Sequence, residues 1–167
     1  SAASDVYKRQ REDNHVTDST KYGPVVVGVD GSEVSQKATA YAFREAQARG
    51  AALIAVHTWM DMQVQASLAG LSAAQSEWAD IEKEQSELLT ENLKEPREEY
   101  PEVEVKKLIT RDRPVSALTE AAEGAQLLVV GSHGRGGFKG MLLGSTSRAL
   151  LQSAPCPMMV VRPDEES

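Results

Sequence analysis

Between Gly131 and Ser147 the chain spaces glycines and hydroxyls in a way suited to holding an anion. The segment runs Gly131-Ser132-His133-Gly134-Arg135-Gly136-Gly137-Phe138-Lys139-Gly140-Met141-Leu142-Leu143-Gly144-Ser145-Thr146-Ser147, directly after the apolar run Leu127–Val130. Glycine lets a ligand come close to the main chain. A helical pattern starts at Arg148, and the start of a helix carries N–H groups without intrahelical partners, a natural anion site. Strand, glycine loop and hydroxyl-rich helix start therefore predict a pocket for phosphates. A Walker A loop is absent, since no glycine is followed after four residues by Gly-Lys-Ser/Thr. The dinucleotide fingerprint fails too, because Gly134-Arg135-Gly136 meets Lys139 where its third glycine belongs. The spacing that is satisfied is G-x2-G-x9-G-S, at Gly131, Gly134, Gly144 and Ser145.

Other residues with chemical capacity are fewer. Arg135 and Lys139 sit inside the loop, either as partners for phosphate charge or as solvated loop residues. Asp30 closes the β-branched run Val25–Val29, as a site carboxylate or as a turn former. His133 has no partner acid at a sensible spacing for a general base, and His57 reads as a packed strand residue. Trp59, Met60 and Met62 line a pocket edge or simply pack a loop. Cys156, flanked by Pro155 and Pro157, reads as a small buried apolar residue. No nucleophile–base pair or carboxylate dyad points to turnover, so no catalytic residue is assigned. No motif supports metal ligation by side chains, although Mg²⁺ commonly rides on nucleotide phosphates.

These residues need elements to position them. Val25–Val29 is expected as a strand buried on both faces. Asp30-Gly31-Ser32 is a turn, with Ser32 or Ser35 as the cap of an alanine-rich helix over 34–49 that Gly50 stops. Leu53–Thr58 is a second strand. A long helix over 74–95 follows, with Trp78, Ile81, Leu88 and Leu89 inward and Pro96 at its end. Val103–Ile109 is an edge strand, and a short helix over 115–123 begins after Pro114. Strand Leu127–Val130, the glycine loop, a helix near 146–152 and strand Met158–Val161 complete the pattern. Five strands separated by helices predict a parallel α/β sheet, whose ligands bind beyond the strand C-termini where strand order reverses.

At 167 residues the chain suits one domain. Its net charge of −7, with 25 acids and 18 bases, argues against broad binding to a nucleic-acid backbone. No run approaches the roughly 20 apolar residues of a membrane span, and the single cysteine gives no disulfide framework. A soluble cytoplasmic protein is the expectation. Residues 1–22 read as a disordered lead-in, 23–163 as the domain, and 164–167 as an acidic tail. Asp5-Val6-Tyr7-Lys8-Arg9-Gln10 resembles the translated end of a transposon adaptor used in preparing sequencing libraries, so 1–10 are expected to be an artefact.

Across 24–162 the chain resembles the universal stress protein family, in the branch whose members bind ATP. The resemblance rests on G-x2-G-x9-G-S, on the opening Val27-Gly28-Val29-Asp30-Gly31-Ser32 and on the ending Cys156-Pro157-Met158-Met159-Val160-Val161. It implies a doubly wound, five-stranded parallel sheet of order 3-2-1-4-5, an adenine nucleotide alpha hydrolase-like fold that joins the loops after Val29 and Val130. It further implies Asp30 beside adenosine, and main chain near Thr58 or His57 against adenine. Val130, Gly131 and Gly134 would meet ribose and phosphates, with Arg135 alongside. Gly144, Ser145 and Thr146 would hold the phosphate tail, with Ser147 after them. The implied ligand is ATP, with Mg²⁺ arriving on it. The implied assembly is a homodimer through the last strand, and the implied role is stress-response signalling with at most slow hydrolysis or autophosphorylation. An ATP-using enzyme of the adenine-hydrolase kind would carry Ser-Gly-Gly-x-Asp-Ser in its first loop, where this chain has Asp30-Gly31-Ser32. An interaction module with an empty loop would lack the glycine spacing.

Overall fold

Val25, Val26 and Val27 are fully buried on both faces of the sheet, which puts their strand at its centre. The computed structural model describes residues 6–9, 23–59, 75–133 and 143–163. Its strands are β1 (Val6–Arg9), β2 (Val25–Gly28), β3 (Leu53–Thr58), β4 (Val105–Thr110), β5 (Leu127–Gly131) and β6 (Met158–Val161). Its helices are α1 (Glu33–Arg49), α2 (Gln75–Glu99), α3 (Pro114–Ala122) and α4 (Ser145–Ser153). The sheet order is β1-β6-β5-β2-β3-β4. Strands β2 to β6 are parallel neighbours in the expected order 3-2-1-4-5.

Alternation along each strand divides the core in two. On one face Val25, Val27, Leu53 and Ala55 meet Ala38, Ala42, Phe43 and Ala46 of α1 and Leu89 and Leu93 of α2. On the other, Val26, Val56, Leu128 and Val130 meet Ala117 and Leu118 of α3 and Leu150 of α4. Ser32 caps α1, and Gly50 ends it at φ 63, a left-handed angle that favours glycine.

Three details depart from the sequence reading. Within the lead-in expected to be disordered, residues 6–9 form an antiparallel strand on β6, with Val6 opposite Val161 and Arg9 opposite Met158. Pairing satisfies main-chain groups along an apolar edge, and four residues carry too little periodicity to announce it. Helix α2 runs through Pro96 to Glu99. The proline lacks an N–H, yet Tyr100 N–H donates to Pro96 O at 2.8 Å and the Tyr100 ring stacks on Phe43 at 6.3 Å, so tertiary contact holds the last turn. Leu88, expected inward, is 50% exposed, and the inward stripe is Gln85, Leu89 and Leu93. Among the described residues no helix is long and apolar enough to cross a membrane.

Candidate functional site

Strands β2 and β5 lie side by side, with Val25 opposite Leu127 and Val27 opposite Val129. The chain leaves β2 toward α1 on one face and leaves β5 toward α4 on the other. Their C-terminal ends thus flank the crevice where strand order reverses, as such sheets place their ligands. Asp30 and Ser132 each lie three residues beyond the paired Val27 and Val129, so the two loops leave the sheet together.

The first loop is built around Asp30. Its Oδ1 accepts the Ser32 N–H at 2.9 Å, and its own N–H donates to Ser35 Oγ at 2.9 Å. Ser32 Oγ in turn accepts the Ser35 N–H at 3.1 Å. Gly31 permits this turn with φ 83. Ser32 thus caps the Ser35 N–H at the start of α1. Ser35, 3% exposed, is the centre of this network rather than a cap; its sequence signal was only a serine three residues after another.

The second loop is gripped at both ends. Ser132, fully buried, donates its N–H to Val161 O at 2.7 Å and accepts the Gly144 N–H at 2.6 Å. That last bond brings together the two ends of the segment between 132 and 144. Ser147 Oγ donates to Gly131 O at 2.6 Å. A hydroxyl has one proton, so Ser147 holds the strand end and has none to offer a phosphate. Helix α4 opens at Gly144 without a side-chain capping bond, and its first helical bond is Arg148 N–H to Gly144 O at 3.0 Å. The N–H groups of Ser145, Thr146 and Ser147 precede that ladder.

Gly131 has a packing role that spacing did not reveal. A Cβ there would stand 2.7 Å from Val34 Cγ1, so glycine is what lets α1 close on the end of β5. Val130 is 4% exposed in the α3 and α4 core, and lies opposite Val160 near the C-terminal end of β5. Thr58 ends β3 opposite Thr110, on the same edge of the sheet as Asp30. Next to it Trp59 is 2% exposed, with the Arg111 guanidinium 5.3 Å from its ring centre. His57 packs at the end of β3 and bridges Val29 and Gln85 through both ring nitrogens. Gly134 and Arg135, with Met60, Met62 and Lys139, lie outside the described residues.

A doubly wound sheet with these two loops at its switch point defines an α/β domain of the class that places ligands beyond the strand C-termini. The chain matches the model of the Universal stress protein family over residues 21–162. It is 46% identical over 150 residues to a universal stress protein of Mycobacterium tuberculosis, covering 90% of this chain and 49% of that protein. It thus spans about half the length of the curated relatives it matches. Among solved structures it resembles UspA from Lactobacillus plantarum, with TM-score 0.68, 22% identity and coverage of 86% and 99% of the two chains. A universal stress protein solved in complex with cAMP aligns with TM-score 0.57 at 25% identity, over 86% of this chain and 98% of that one. One from Archaeoglobus fulgidus in complex with dAMP aligns with TM-score 0.59 at 23% identity, over 85% and 99%. The chain belongs to the universal stress protein family.

Proposed function

We propose that this domain binds ATP and works as a nucleotide-dependent regulatory module of the stress response. The observation that carries the reading is the start of α4, left without a side-chain cap and tied to the end of β5 by the Ser132–Gly144 and Ser147–Gly131 bonds. Exposed N–H groups at a helix start suit a phosphate without further ligands. Related universal stress proteins solved with cAMP and dAMP support an adenine nucleotide as the ligand class. In this reading Asp30 and the main chain at Thr58 hold adenosine. Val130, Gly131 and Gly134 lie along ribose and phosphates, and Arg135 adds charge. Gly144, Ser145 and Thr146 take the phosphate tail, and Ser147 keeps the loop end in place. Mg²⁺ would enter with the phosphates. The role is binding rather than efficient turnover, in the cytoplasm.

A second copy is the proposed partner, paired along β6. Residues 6–9 occupy that edge here, so pairing through it requires them to leave. Calorimetry with ATP and AMP tests the nucleotide reading. We expect low-micromolar affinity for ATP, and its loss in Gly144→Val, whose side chain would enter a buried position. No heat with either nucleotide in the unaltered protein would overturn it.

A further inference from the structure

Helix α2 reaches the end of β3 through one partly buried polar pair. His57 Nδ1 lies 2.7 Å from Val29 O, and its Nε2 lies 2.7 Å from Gln85 Oε1. A carbonyl oxygen only accepts, so Nδ1 carries the proton. Gln85 is 6% exposed and stands one turn before Leu89 on the inward stripe. Its amide presents either end by a half-turn, which meets Nε2 as donor or as acceptor. The Val29 carbonyl and the Asp30 N–H belong to one planar peptide unit. The oxygen of that plane is held by His57 and its N–H by Ser35 Oγ. A plane gripped at both edges does not rotate, which fixes the direction in which the Asp30 side chain leaves the chain.

We infer that His57 is a positioning residue for the nucleotide site, clamping the Val29–Asp30 peptide and tying the aim of Asp30 to helix α2 through Gln85. The inference rests on the reading that the crevice binds an adenine nucleotide. The pairing does not stand out in the sequence: one residue is a lone histidine in a strand, the other a polar residue on an apolar helical stripe.

Two substitutions separate the arms of the clamp. His57→Asn keeps an N–H where Nδ1 stood and loses Gln85, whereas His57→Gln reaches toward Gln85 and abandons Val29. Hydrogen exchange at the Asp30 and Ser32 amides, followed by NMR without nucleotide, reads the clamp itself. ATP titration reads its consequence. In His57→Gln both amides exchange about tenfold faster and ATP binds about tenfold more weakly, the loss of one partly buried hydrogen bond. His57→Asn and Gln85→Leu both keep the N–H on Val29 and lose the tie to α2, and each falls between the unaltered protein and His57→Gln, at about threefold on both measures. Unchanged exchange in His57→Gln, or equal losses in His57→Asn and His57→Gln, would overturn the clamp. Wild-type behaviour of Gln85→Leu would overturn the tie to α2. An unaltered protein that binds no nucleotide fails the nucleotide reading alone, and the exchange rates still decide whether His57 holds Asp30.

Discussion

Replacing Gly131 by alanine tests whether helix packing, rather than a ligand, demands a glycine at the end of β5. The added Cβ would meet Val34 Cγ1 at 2.7 Å and Val34 Cβ at 3.4 Å. Carbon atoms rest about 3.5–4.0 Å apart, so the first contact must open by roughly 1 Å. Val34 lies in the first turn of α1, whose start is tied to Asp30 through Ser35, so little gives way cheaply. Overpacking of this kind costs about 1–3 kcal/mol, and about 2 kcal/mol lowers the melting temperature of a domain this size by roughly 4–8 °C. Val34→Ala removes the offending methyl. The double variant should therefore recover about 1–2 kcal/mol relative to the sum of the single changes. Urea titrations of the four proteins, analysed at a common m-value, supply the cycle. A Gly131→Ala protein with an unchanged midpoint would refute the steric argument. Simple additivity in the double variant would acquit Val34 and leave another neighbour to account for the glycine.

Two further outcomes follow from the same geometry. Ser147→Ala leaves the Gly131 carbonyl without its 2.6 Å donor and should cost about 1–3 kcal/mol in urea, with Ser147→Thr retaining most of it; equal midpoints for all three proteins would remove Ser147 from the loop's support. Deleting residues 1–10 exposes the outer edge of β6 and should raise the dimer fraction seen by light scattering; an unchanged mass would reject strand pairing along that edge.

Much of the architecture was legible because burial imposes a period. The valines of β2, the Gly50 stop and the Pro114 start each leave a local mark, and they recover the element order. Chain order and crossover geometry then bring Asp30 and Ser132 to the same edge of the sheet. What escaped was held by partners distant in sequence. Val6–Arg9 is a strand because β6 offers an edge, and α2 continues past Pro96 because Tyr100 finds Phe43. Leu88 follows the rule that apolar residues point inward only until helical rotation carries it away from Leu89. At the site, spacing marked Gly131 and Ser147 but not their work. One is kept small by Val34 and the other spends its proton on a carbonyl. His57 and Gln85 were invisible as a pair, since no local pattern joins a strand end to a helix across the core.

The two helix starts at the crevice differ in kind, and the difference gives the cleft a polarity. At α1 Ser32 takes the Ser35 N–H and the Asp30 carboxylate stands beside that cap, while α4 starts without a side-chain cap. A phosphate brought to the Asp30 side at about 4 Å would face repulsion of about 4 kcal/mol at a surface-like dielectric, and the same group at α4 would be welcomed. An elongated ligand with one anionic and one neutral end would therefore have a single way in. Orientation would be settled by charge along the cleft before any base is recognised, and a nucleoside stripped of its phosphates would lose its bearing as well as its affinity.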